Sequence, residues 1–277
     1  MPAWRRWSSR GHCWRIPSIR PRKHVFAAML DVLIRASQVS QAEAVLTGLG
    51  MRIGCQSTSS PPPPQAQWVF VDAPTDFALD LHWALSNHQG LRGCLRFDEL
   101  AAEAQPLPGL APPARGLGRV HALLHACIHY YGHHRNQFKP LQWLLDMDLL
   151  WRAMSDQEQA RLVDLSLEKG IAGLVAASLT LAVAHFGTPI DAAMLARLDA
   201  AGRRQRTTRL LKATRFRILG ILEQAAWVPG VRGKLATLRA MLFPPAAIMA
   251  VKYPEGSRFG LPGMWVRRFV DALRPRR

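Results

Sequence analysis

The sequence predicts an α+β fold, in which a small sheet with helices is followed by an all-helical domain. Short strand-like apolar runs are confined to residues 29–83, whereas apolar side chains recur at helical spacing from residue 117 onward. A passage rich in proline and glycine, at 106–118, separates the two regions. The predicted divisions are an aberrant or disordered basic segment at 1–24, an incomplete α/β domain at 25–105 and a helical domain with a basic tail at 117–277.

The composition excludes several classes of protein. Of the 277 residues, 49% are hydrophobic and 20% are charged, which excludes overall disorder, collagen-like repetition and a small disulfide scaffold. The four cysteines lack Cys-x-x-Cys spacing, so they indicate neither a zinc ribbon nor a redox pair and fit a reducing cytoplasm. The longest apolar stretch, 171–186, falls short of the roughly 18–20 residues of a bilayer span, so it predicts a buried helix rather than a transmembrane segment.

The net charge of +17 is concentrated at the two ends of the chain. Residues 1–23 hold seven Lys and Arg and no acid, residues 24–199 hold 12 basic against 16 acidic residues, and residues 200–277 hold 17 against three. The three segments therefore carry +7, −4 and +14, which sum to the total of +17. A nucleic-acid or membrane partner attracted by positive charge would therefore bind to the ends of the chain alone.

The sheet region begins with a strand followed by a helix. An apolar run at 29–34 predicts the strand, Ser37 is a candidate N-cap, and helical spacing continues to Gly50. A loop is predicted at 57–64, where four consecutive prolines cannot donate to a ladder, and a turn is predicted at 72–75. The further predicted strands are 51–54, 68–72 and 77–83.

The region after the proline- and glycine-rich passage is predicted to be helical throughout. The predicted helices are 117–131, 141–154, 156–169, 171–186 and 191–198, with a basic helical tail from about Arg206 onward.

Two aspartates lie inside predicted strands and are flanked by apolar residues. Alternation along the last strand places Phe77, Leu79, Leu81 and Trp83 on one face, and Asp80 and His82 on the other.

A carboxylate buried in a sheet is costly unless it is paired or binds a metal. One interpretation is that Asp31 and Asp80 approach a divalent cation, as phosphoryl or nucleotidyl transfer requires. The other is that each lies at a strand end in contact with water. A two-metal site normally has a third carboxylate, and none precedes Asp31 in the sequence at a matching position.

Five histidines follow one another closely in the first predicted helix of the second domain: His121, His125, His129, His133 and His134. Because each step of four residues turns a helix by about 400°, at most two or three of them could ligate one ion. Neither Glu-x-x-His nor His-Glu-x-x-His is present to supply a neighbouring carboxylate. Packing and hydrogen bonding between the two domains is therefore favoured over a zinc site.

The basic tail offers a further candidate binding surface. Its arginines include Arg203, Arg204, Arg206, Arg209, Arg215 and Arg217. They could contact the phosphates of a nucleotide or nucleic acid, but few aromatic residues are interleaved for base stacking. A solvated basic helix surface is therefore favoured, and nucleic acid is not a favoured partner.

Four segments carry a resemblance to a known family. They are Asp31-Val32-Leu33-Ile34 with the helix to Gly50, Leu79-Asp80-Leu81-His82-Trp83, Leu123-Leu124-His125 through His129, and Leu141-Gln142-Trp143-Leu144-Leu145-Asp146. Together they resemble the uncharacterised bacterial nucleotidyltransferase family of the polymerase-beta-like superfamily, from residue 30 onward. The resemblance implies a nucleotidyltransferase-type mixed sheet, and transfer of a nucleoside monophosphate from a nucleoside triphosphate to an acceptor hydroxyl with two Mg²⁺ ions.

The resemblance also implies roles for individual residues. Asp31 matches the family's second metal carboxylate and Asp80 its third, and Asp80 would also align or deprotonate the acceptor. His82, His129 and Asp146 are implied as cofactor-binding or packing positions. The chain has Met29 where the family has its first carboxylate, and a preceding Lys-Gly segment is missing. We therefore expect a weak or inactive enzyme, the alternative being a non-catalytic nucleotide-, RNA- or protein-binding module that uses the basic tail.

The missing motif has an explanation in the genetic code. When the third base of each codon is joined to the first two of the next, residues 9–29 can encode Lys-Gly, Tyr-Pro, an Arg and then Gly-Asp, which continues into Leu30-Asp31. Residues 1–29 are therefore interpreted as an out-of-frame translation, and three of the nine tryptophans fall within their first 14 positions. The competing interpretation is a basic targeting segment, but the long apolar core or amphipathic repeat of such segments is missing.

Overall fold

The structure is a computed structural model that describes residues 28–55, 65–70, 77–107, 114–132, 141–208, 217–253, 255 and 259–273. It confirms the predicted α+β class, with a four-stranded mixed sheet followed by helices. The chain divides into two compact units after Leu85. The proline- and glycine-rich passage that the sequence suggested as the boundary lies inside the second unit. Residues 1–24, predicted to be aberrant, lie outside the described residues.

The first unit is a sheet covered on one face by a helix. Its elements are β1 (Ala28–Leu33), α1 (Val39–Gly48), β2 (Met51–Cys55), β3 (Gln65–Phe70) and β4 (Phe77–His82). The strand order is β1-β4-β3-β2, in which β1 runs parallel to β4 and the other neighbours are antiparallel. Parallel neighbours need a long crossover, which here consists of α1, β2 and β3.

Alternation along the strands separates an apolar face from a polar one. The apolar face packs into a core of Leu46, Met51, Ala66, Trp68 and Leu81, with Val32, Ile34, Ala42, Leu79 and Trp83 against it. The predicted shared face of Leu79, Leu81 and Trp83 is thus confirmed. The opposite face carries Asp31, Asp80 and His82.

Two local predictions in this unit were wrong. Ser37 is not an N-cap but lies in a 3₁₀ turn, Ala36–Gln38, because the Gln38 side chain accepts the Arg35 backbone N–H at 3.4 Å and forms a turn ahead of α1. Strand β3 begins at Gln65 rather than at residue 68. The predicted loop at 57–64 and turn at 72–75 lie outside the described residues.

Among its described residues, the regular structure of the second unit is helical apart from a small hairpin-like pair, β5 (Gln105–Pro106) with β6 (Arg115–Gly116). Its helices are α2 (Phe97–Ala102), α3 (Arg119–Gly132), α4 (Leu141–Arg152), α5 (Asp156–Glu168), α6 (Ala172–Phe186), α7 (Ala192–Gly202), α8 (Arg217–Ala226), α9 (Val231–Leu242), α10 (Ala246–Lys252) and α11 (Gly260–Leu273). The predicted helices are confirmed, including the helical tail, and α2 is an addition to them.

Local signals explain where two of these helices begin. Ser155 accepts the Glu158 backbone N–H, and the Glu158 side chain accepts the Ser155 backbone N–H, which is a capping box at the start of α5. Asp191 caps α7 through the backbone N–H groups of its first turn.

Helix α6 lies at the centre of this unit and packs against α3, α4, α5 and α7. Most of its residues are buried, which confirms the predicted buried helix. It crosses α7 closely where Gly173 meets Gly202, and a Cβ on Gly202 would clash with the Gly173 backbone. Across the described residues, no helix combines the length and apolar character that a membrane span needs.

Candidate active site

Two carboxylates face each other across neighbouring strands. The parallel register of β1 and β4 places Asp31 directly opposite Asp80 on the polar face of the sheet. Both side chains are half-buried. The structure therefore brings together the two residues that the sequence singled out as metal ligands, although their binding of a metal stays a prediction.

His82 joins the two carboxylates because it follows Asp80 by two residues and shares its face of β4. Its Nε2 atom lies 3.6 Å from Asp31 Oδ1. One ligand atom from each of Asp31, Asp80 and His82 lies within 4.8 Å of the other two. This is the only group of three potential metal ligands found among the residues that the structure describes.

Gln67 completes the polar face, and sequence reasoning missed it. It is the antiparallel partner of Asp80 on β3, and its side-chain amide donates a hydrogen bond to the Asp80 carboxylate. Its neighbours Ala66 and Trp68 are buried while Gln67 is half-buried, so the alternation of β3 directs it to the same face as Asp80.

The environment of Asp80 disfavours a negative charge there. Burial raises the pKa of Asp80 most, and the nearby Asp31 carboxylate raises it further, while His82 and the Gln67 hydrogen bond oppose the rise. A bound cation would reverse the repulsion between the two carboxylates. Two carboxylates and an imidazole are a donor set that suits a divalent ion, so these residues fit such a group.

The other two predicted cofactor residues belong to the helical unit. His129 lies on α3, where its ring meets the edge of Trp143 at 4.7 Å between centroids and lies 5.7 Å from the ring of His125. Asp146 lies on α4, one turn after Trp143. Their assignment to cofactor binding stays a prediction.

Asp146 is a half-buried acid with one carboxylate oxygen enclosed by the protein. Its Oδ2 atom is buried and has no hydrogen-bond partner among the described residues. Burial raises the pKa of Asp146 to about 6. By contrast Asp148, on the same helix, accepts two hydrogen bonds from Arg152 Nε at 2.9 and 3.0 Å.

Replacing Asp146 by asparagine is expected to stabilise the protein at pH 7 by about 1–2 kcal/mol. The folded-state pKa lies above the unfolded value, so the stability contribution of Asp146 is present below pH 4 and is lost as the pH rises through about 6. Urea unfolding between pH 4 and pH 8 should show the wild type losing this increment while Asp146→Asn does not. Asp148→Asn, which breaks an ion pair on the same helix, should instead lower the free energy of unfolding. If the two variants changed this free energy equally, the raised pKa of Asp146 would be contradicted.

The remaining histidines pack inside the helical unit. His121 is fully buried, with Nε2 3.5 Å from Glu99 and Nδ1 3.5 Å from Glu103. Lys169 Nζ in turn contacts Glu99 at 2.9 Å. Carboxylates are thus near His121 after all, but they come from α2 and the residue that follows it rather than from a motif. His133 and His134 lie outside the described residues, and the predicted contacts between domains stay a prediction.

The described arginines of the basic tail are partly engaged by the protein itself. Arg203 pairs with Asp199 at 2.7 Å, and Arg206 lies over the Trp227 ring at 4.1 Å from its centroid. Arg204 is exposed. Arg209, Arg215 and the side chain of Arg217 lie outside the described residues.

Comparison with known proteins identifies the family. The family model described as uncharacterised nucleotidyltransferase matches residues 28–187, which include β1 to β4 and the helices α1 to α6. The search of curated proteins returns no significant match. Nor does the search of solved structures. The matched span covers more than half of the chain and contains Asp31, Asp80 and His82, and the chain therefore belongs to the uncharacterised nucleotidyltransferase family.

Proposed function

We propose that this protein transfers a nucleoside monophosphate from a nucleoside triphosphate to an acceptor hydroxyl, at Asp31 and Asp80. The observation that carries the proposal is the pairing of these carboxylates in register on adjacent parallel strands, with His82 beside them. Such a constellation on the polar face of a small mixed sheet is what metal-assisted nucleotidyl transfer requires.

Asp31 and Asp80 would hold the divalent ion, for which Mg²⁺ is the proposed species. When bound, the ion would neutralise phosphate charge and make the attacked phosphorus more electrophilic. Asp80 would align the acceptor hydroxyl and accept its proton. Gln67 holds the Asp80 carboxylate by its hydrogen bond, and His82 lies close enough to Asp31 to orient it.

The same donor set limits the proposed activity. Three donor groups are enough to hold one metal ion but too few to hold two. Met29 occupies the position that carries the first carboxylate in the family's pattern. We therefore expect the chain with Met29 to be weak or inactive as a catalyst while keeping metal-dependent nucleotide binding.

The test is the affinity of the full chain for ATP by isothermal titration calorimetry, with Mg²⁺ and with EDTA. Wild-type binding should depend on Mg²⁺, and Asp80→Asn should weaken it by about tenfold or more, since one metal-binding charge is lost. The matched control is Asp164→Asn, which removes an exposed carboxylate that pairs with Arg197. Binding that survives both EDTA and Asp80→Asn would refute the proposal.

The basic tail supports a second candidate, a non-catalytic module that binds a nucleotide, RNA or an acidic protein. Residues 200–277 hold 17 basic and three acidic residues. This second function would be favoured if the affinity for RNA fell steeply with salt and was unchanged in Asp80→Asn.

A further inference from the structure

The solvent-facing side of α11 is apolar along its whole length. Apolar residues recur at intervals of three and four: Phe259, Pro262, Val266, Phe269, Val270 and Leu273, all exposed. Phe259 is 67% and Val266 66% exposed. A surface helix normally directs such a stripe at the core and its charged face at water, so α11 shows the reverse arrangement.

Specific contacts fix the orientation of α11, so the exposed stripe does not result from a free rotation. On the inner side, the Trp265 indole N–H donates to the Pro244 carbonyl at 2.9 Å, and Arg268 donates to the Met241 carbonyl at 2.9 Å. The Tyr253 hydroxyl donates to Asp271 at 2.8 Å. These contacts and the buried Ala272 lie on the side of the helix next to the stripe, with Trp265 adjoining it.

The sequence around the stripe is rich in basic residues. All three acids of residues 200–277 are engaged internally: Glu223 with His88, Glu255 with Arg267, and Asp271 with Tyr253. The sequence continues directly from Leu273 into Arg-Pro-Arg-Arg. Residues 258–277, which contain α11, hold six arginines against one acid, so the segment combines an exposed apolar face with a net positive charge.

We propose that α11 docks this protein on an anionic lipid membrane, lying in the interface with its apolar stripe inserted among the lipids. This proposal is independent of nucleotidyl transfer. Insertion removes the stripe from water, and the flanking arginines meet lipid phosphates. A second copy would bring two surfaces of like charge together, and RNA would leave the stripe in water, so neither matches both properties.

The test is sedimentation of the full chain with vesicles of phosphatidylcholine containing phosphatidylglycerol, and with vesicles of phosphatidylcholine alone. We expect binding to the anionic vesicles only, weakened by salt. The double variant Val266→Ser with Phe269→Ser, which leaves the charge unchanged, should reduce binding by about tenfold, since affinity scales with the apolar area inserted. The matched control is Val45→Ser with Leu49→Ser, which removes two comparably exposed apolar side chains from α1 and its C-cap.

Three outcomes would overturn the docking proposal. One is absence of wild-type binding to anionic vesicles, and another is equal binding by the α11 double variant. A third is a wild-type dimer in light scattering that dissociates in the α11 variant and ignores vesicles, since the stripe would then cover a second copy. Circular dichroism of each variant confirms that it is folded, which these exposed positions allow.

Discussion

Replacing Gly202 by alanine is expected to destabilise the protein by about 1–3 kcal/mol, the usual cost of overpacking a filled interior. A Cβ at this position would meet the backbone of Gly173, in the buried first turn of α6, and a backbone cannot move aside as a flexible side chain can. The crossing of α6 and α7 would have to open. Urea unfolding followed by circular dichroism measures the change as a lower midpoint.

The control for Gly202 is Gly220→Ala, inside α8. Nothing lies within 4 Å of a Cβ built on Gly220. Alanine there should stabilise by about 0.5–1 kcal/mol, because it favours the helix more than glycine does. If both variants were equally stable, the close crossing of α6 and α7 would be contradicted.

Replacing Met29 by aspartate is expected to restore a metal carboxylate and to tighten Mn²⁺ binding by about tenfold or more, since affinity rises with the number of charged ligands. In the register of the sheet, residue 29 lies two positions before Asp31 and pairs with Ala78, which lies two positions before Asp80. Titration of Mn²⁺ by electron paramagnetic resonance measures the affinity. Nucleotidyl transfer, followed as pyrophosphate release, should appear or rise in the same variant.

The control for Met29 is Leu30→Asp, which adds the same charge one position along β1 and on its other face. Leu30 is exposed, so the protein should tolerate the change. Tighter Mn²⁺ binding in both variants would mean that added charge alone is responsible. No tightening in Met29→Asp would remove Met29 as the reason for expecting a weak enzyme.

The polar face of the sheet was predictable where it follows from period-two alternation. Asp31 and Asp80 stand out because apolar neighbours enclose each of them, and β4 alternates regularly enough to assign its faces. Gln67 was not predictable, since a glutamine on the solvent face of a strand is ordinary. Its hydrogen bond to Asp80 depends on the pairing of β3 with β4, a relation between distant parts of the chain.

In the helical unit too, the contacts of buried ionisable residues could not be predicted from the sequence. Helical spacing predicted α3 and the histidines along it, but not that His121 is buried beside Glu99 and Glu103. Helix α2 has only six residues, which are too few for a helical spacing of apolar residues to be recognised in the sequence. The carboxylates near His121 are therefore a property of packing, which single-sequence motifs do not record.

The parallel pairing of β1 with β4 has a consequence for how the candidate site forms during folding. Asp31 and Asp80 belong to strands that are neighbours in the sheet but are separated in the sequence by α1, β2 and β3. Such non-local pairings form late and slowly, because the entropy of closing the loop is lost before the contact is gained. An ion held by both carboxylates would therefore bind to the folded sheet and stabilise it. It would not start the folding of the sheet, because its two ligands come together only when β1 and β4 pair.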